Sequence, residues 1–78
     1  MVKEKIYKIE DFQVGMVIEA IIDNNTLFHI TGGEAYEIVD IHEMNYGLEI
    51  NFINDKEELE SKLINNSGYP FDMYFRIL

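Results

Sequence analysis

The chain has 78 residues with no cysteine and no tryptophan, and fifteen acidic against six basic side chains give it a net charge of −9 and a pI near 4.4. A chain this short makes a single domain, residues 1–78, with a thin core, because it hides only about 60% of the surface its unfolded form exposes. Lack of cysteine excludes a disulfide framework and a thiolate metal site, and the acidity argues against direct contact with nucleic acid.

The charge is uneven. Residues 10–55 hold ten acids and no Lys or Arg, whereas Lys3, Lys5 and Lys8 sit ahead of that segment and Lys56, Lys62 and Arg76 behind it. A body with such a middle section presents negative potential that attracts basic partners. The apolar core of an export signal does not follow the first lysines, and Glu19 and Asp23 break the apolar runs far short of the roughly 20 residues a membrane helix needs. The expected location is the cytoplasm, with no membrane contact.

In chain order, Ile6-Tyr7-Lys8-Ile9 reads as a short strand and Glu10–Gly15 as a turn or single helical turn ended by glycine, with Phe12 and Val14 lidding the core. Met16–Ile22 is rich in β-branched residues and short, which suits a strand. Asp23-Asn24-Asn25 closes it as a turn, and Thr26–Thr31 is expected to be a short irregular strand rather than an ordered loop. Gly32-Gly33 then feeds the central strand, Ala35 to His42. Ala35, Glu37, Val39 and Ile41 share one parity and Tyr36, Ile38, Asp40 and His42 the other. Neither set is cleanly polar, as expected of a strand bent between two sheets.

After a turn at Met44–Gly47, Leu48–Ile53 alternates apolar and polar cleanly, so it is a strand. Asn54–Glu57 is the next turn. Glu58–Ile64 fits a helix, through a capping box of Asp55 with Glu58 and a Leu59 and Leu63 pair, or a strand; the all-β surroundings favour the strand. In that strand Glu58, Glu60 and Lys62 should face water and Leu59, Ser61 and Leu63 the core. Asn65–Gly68 is a loop, Pro70 biases Tyr69 to an extended conformation, and Phe71–Phe75 suits one tight turn before a terminal strand, Phe75–Leu78. The fold class is mainly β, a five- or six-stranded barrel with one short helical turn.

Gly33-Glu34-Ala35-Tyr36-Glu37-Ile38, the Ile53-Asn54-Asp55 turn, and Tyr69-Pro70-Phe71 with Tyr74-Phe75 resemble short acidic SH3-like barrel proteins of Gram-positive bacteria and their phages. The likeness spans residues 14–78 and rests on strand and turn residues, so it implies a fold and no catalytic site. The chain departs from peptide-binding SH3 domains in having no tryptophan and no ALYDY-type segment, which argues against recognition of proline-rich peptides.

No arrangement for chemistry emerges. His29 and His42 are the only histidines; Asp40 and Glu43 flank His42, but a structural metal site needs four organised ligands, so no metal or other cofactor is expected. Gly32-Gly33 leads into a strand and lacks the helix N-terminus of a phosphate cradle. Asp23-Asn24-Asn25 falls short of a calcium loop. Ser61 and Ser67 lack a glycine elbow. Tyr36, Tyr46, Phe52, Tyr69, Tyr74 and Phe75 could stack bases, but a single-strand binder also needs a basic groove.

The expected function is a non-catalytic interaction module that offers an acidic face, Glu34, Glu37, Asp40, Glu43 and Glu49 with Glu19 and Asp23 next, to a protein with a basic surface. Its sharper form is a phage or mobile-element inhibitor that mimics nucleic acid. The alternative is a structural or assembly subunit, a homodimer or larger oligomer joined through exposed aromatics, with Tyr46 or Tyr74 at the contact. A third class, an enzyme or small-ligand binder, requires a pocket with convergent polar groups.

Overall fold

The computed structural model describes residues 7–45, 47–65 and 70–78. It is mainly β. Five antiparallel strands, β1 (Val17–Ala20), β2 (Ala35–Met44), β3 (Gly47–Ile53), β4 (Leu59–Ile64) and β5 (Phe75–Ile77), form one sheet in the order β4-β3-β2-β1-β5. The sheet curls into a half-barrel compatible with a small SH3-like barrel. A 3-10 turn, Ile9–Asp11, precedes β1, and the single helical turn α1 (Phe71–Tyr74) leads into β5.

β2 is the longest strand and lies in the middle of the sheet, where the double-glycine segment delivers it. Gly33 has φ +90, which a side chain disfavours, and its N–H donates to the Ala20 carbonyl at 2.7 Å, tying the turn to the end of β1. The mixed pattern of β2 has a mechanical cause. Ile38 pairs with Phe52, but the next partner of β3, Asn51, faces Asp40, so Val39 is the extra residue of a β-bulge. Tyr36 and Ile38 point inward before the bulge, and Ile41, opposite Ile50, takes over after it.

The inner face combines buried isoleucines, Ile18, Ile38, Ile50 and Ile64, with packed aromatic rings. Phe52 is fully buried and packs its ring 5.5 Å from Tyr36 and 5.4 Å from Phe75. Tyr7, Phe12 and Phe71 form a second ring cluster with centroids 5.2 to 5.4 Å apart. Tyr7 is also held at its backbone: the Asn65 side chain accepts from the Tyr7 N–H at 3.0 Å and donates to its carbonyl at 2.7 Å. Its hydroxyl donates to Asp72 at the start of α1. Burial, reinforced by that bond, raises the Tyr7 pKa above the ordinary tyrosine value.

Four local expectations are corrected. Tyr7 and Lys8 are not in a strand, and Ile9 opens the 3-10 turn; Asp11 caps it by accepting from the Lys8 N–H at 2.8 Å. Val14 is exposed at the following turn, and Phe12 alone of that pair is buried. Thr26–Thr31 is a loop, because the Asn24 carboxamide accepts from the N–H groups of Thr26, Leu27 and Phe28, competing with a ladder, and only the Asn24 and Ile30 bridge remains. The fourth correction concerns β4.

Residues 59–64 do form a strand, but its two faces are swapped: Lys62 and Ile64 are buried while Leu59 and Ser61 are exposed. The turn sets this phase. Asn54 accepts from the N–H groups of Lys56 and Glu58 at 2.9 and 3.0 Å, Glu57 takes φ +61, and Ile53 is thereby paired with Leu59. Opposed residues share a face, so inward Phe52 and Ile50 carry Glu60 and Lys62 inward with them. No capping box forms with Asp55, whose carboxylate instead accepts from the Tyr36 hydroxyl and the Thr31 hydroxyl, each at 2.7 Å.

Candidate functional site

The sheet register brings four of the seven expected acidic residues together. Glu19 of β1, Glu37 and Asp40 of β2 and Glu49 of β3 all lie on the outer face. The other three go elsewhere. Glu34 is exposed in the turn before β2. Asp23 accepts from the Gly32 N–H at 2.7 Å and so fastens the loop. Glu43, opposite Leu48, has inward parity and lines an open cleft of about 340 Å³ with Tyr7, Lys8, Glu10 and Asn65.

The four outer carboxylates are not equivalent. Glu19 is paired with Arg76, its cross-strand partner on β5. Asp40 lies 3.1 Å from His42 and accepts from the Ile41 N–H at 2.9 Å. Among the described residues no hydrogen bond or ion pair engages Glu37 or Glu49. Arg76 is the one Lys or Arg that the strand register puts on this face.

Aliphatic side chains stand between these charges, one from each of four adjacent strands. Val17, Val39, Ile53 and Leu59 are 38%, 40%, 44% and 64% exposed. Val17 pairs directly with Glu37, Val39 is two residues further along the same strand, and one step beyond the Ile38 and Phe52 pair the register sets Ile53 beside Glu37. Ile53 in turn pairs with Leu59. Single exposed apolar residues are ordinary; here they form a band that crosses four strands around an unengaged carboxylate.

No family model, curated protein or solved structure matches the chain. The functional reading therefore stands on geometry. Among the described residues no group of three or more His, Asp or Glu is placed to hold a metal, and no helix is long and apolar enough to cross a membrane. Of the two expected dimer contacts, Tyr46 lies outside the described residues, and Tyr74 is half-buried with its ring packed edge-on against Phe28 at 5.2 Å.

Reading the sequence missed Lys62. Its side chain is almost fully buried, and its ammonium lies 5.3 Å from the ring centres of both Phe28 and Tyr74. Burial lowers its pKa to about 8, while the two ring faces recover part of the lost hydration of the cation. It joins the 24–30 loop, α1 and β4 at one point. Tyr36 makes the second junction: its hydroxyl donates to Asp55 and accepts from the Thr31 N–H at 2.8 Å, and burial raises its pKa. Both groups serve the fold; neither faces the acidic surface.

Proposed function

We propose that the protein is a non-catalytic interaction module that binds a basic protein partner through the outer face of its sheet. One observation carries the reading: on that face Glu37 and Glu49 are unengaged, and Glu37 sits in a band of exposed aliphatic side chains. Interfaces combine an apolar centre with a polar rim, and complementary charge speeds encounter and suppresses wrong partners. Aliphatic residues interleaved with carboxylates fit a protein surface of mixed character better than a channel built for phosphates alone, so direct protein recognition is favoured over mimicry of nucleic acid.

The test is affinity capture from native lysate with the parent protein and a charge-reversed variant, Glu37→Lys with Asp40→Lys and Glu49→Lys. A matched variant reversed at three sites off that face, Glu57→Lys with Glu58→Lys in the β3–β4 turn and Glu10→Lys in the 3-10 turn, reaches the same net charge and controls for it. The parent and the turn variant should retain the same basic proteins, the face variant should lose them, and retention should fall steeply as salt rises, since exposed charges are screened over about 10 Å at 0.1 M. Equal retention by all three, or retention indifferent to salt, overturns the reading. Assembly through aromatics is the competing class; a concentration-dependent oligomer in sedimentation that Tyr74→Ala abolishes would favour it.

A further inference from the structure

We infer that the outer face is read by arginine side chains of its partner, with Glu37 as the carboxylate that receives the guanidinium and Val17, Val39 and Ile53 as the bed for the arginine stem. The inference rests on the reading of this face as a binding surface for a basic protein, and it names the chemistry of the contact.

Three observations select arginine. The Glu37 carboxylate has no hydrogen-bond or ion-pair partner among the described residues, whereas Glu19 is held by Arg76, and Asp40 accepts from the Ile41 N–H and lies 3.1 Å from His42. The Glu37 carboxylate is bordered by aliphatic groups on three sides: Val17 across one strand boundary, Ile53 across the other and Val39 along its own strand. A lysine ammonium arriving there gives up part of a strongly held water shell against hydrocarbon. A guanidinium is weakly hydrated, planar, and able to bond both carboxylate oxygens while its methylene stem lies on the aliphatic side chains.

The third observation is shape. The sheet curls around its core, and this is the side turned away from that core, so Val17, Glu37, Val39 and Ile53 stand exposed on an outward-curving surface. A long, flexible side chain laid flat suits such a surface; a compact ligand that needs enclosure does not. A second copy of the chain is a poor occupant, because two such faces would bring Glu37 and Glu49 against like charges on molecules that each carry −9.

The experiment uses the full chain and minimal probes, n-butylguanidinium, n-butylammonium, guanidinium and 1-butanol, titrated with amide chemical shifts as readout. n-Butylguanidinium should saturate with its largest shifts at Val17, Glu37, Val39 and Ile53, and bind about tenfold tighter than each of the other three, equivalent to ~1.4 kcal/mol. Glu37→Gln and Ile53→Thr, both surface changes that should keep the parent's dispersed spectrum, should each remove most of that advantage. Equal binding of the two butyl cations overturns arginine selection and leaves the basic-partner reading standing. Shifts centred on the Glu43 cleft, absence of saturation, or a Glu37→Gln variant that binds like the parent also overturns it. The broader reading fails separately, when the charge-reversed variant keeps the captured proteins.

Discussion

The two faces of the sheet are built from alternating residues of the same strands and obey different rules. On the inner face, burial is nearly complete and even a lysine is accommodated by placing Phe28 and Tyr74 against its charge. On the outer face, four aliphatic side chains remain in water beside carboxylates that nothing in the described fold engages. The difference separates what folding demands from what it leaves unused: inner-face residues are accounted for by contacts, and the Val17, Glu37, Ile53 and Leu59 row is not.

The comparison breaks most visibly at Phe52, which is fully buried between Tyr36 and Phe75. Phe52→Ala should cost about 3–5 kcal/mol, read as a shift of the urea unfolding midpoint. A loss below about 1 kcal/mol would mean that the inner face is not the core.

The pH dependence sharpens the contrast next. Lys62 is lowered to about 8 from an ordinary 10.5, so between those values the unfolded chain holds a proton that the folded chain has released. Stability should therefore rise with pH across that window. Tyr7 and Tyr36 are shifted the other way, above the ordinary value of 10.0. Past that pH the unfolded chain loses protons that the folded chain keeps, and stability should fall. Lys62→Met should melt above the parent near pH 7, and the gap in Tm should narrow from pH 8 to pH 10. A constant gap would show that Lys62 titrates normally and is not buried.

The smallest expected effect lies on the outer face. Ile53→Thr with Leu59→Ser should leave unfolding free energy within about 0.5 kcal/mol of the parent, since neither side chain is enclosed. The same pair should weaken retention of the captured partners. A large loss of stability would place these residues in the fold's own packing and remove the reason to assign them to a partner.

Much of the architecture was legible because it depends on local signals. Double glycine before a β-branched run, the alternation of Leu48–Ile53, and Pro70 ahead of a tight aromatic turn each report backbone geometry directly. The acidic face was legible only in part. Parity along one strand groups Glu37 with Val39, but the bulge at Val39 is what carries Asp40 onto that same side, and Glu43 onto the other. The Tyr36, Asp55 and Thr31 junction joins residues up to 24 positions apart in the chain and left no local pattern to read.

Composition and short-range pattern determined that this chain is an acidic, mainly β domain with its strands close to where they stand, because hydrophobic periodicity and turn chemistry act over a few residues. Tertiary structure alone decided which side of each strand is inside. The phase of β4 was set by the Asn54 turn and by pairing with β3, so Lys62 went into the core and Leu59 to the surface against their own polarity. Cross-strand register acts on a whole strand at once, so the turn and the pairing with β3 place every side chain of β4 together, whatever any one of them prefers.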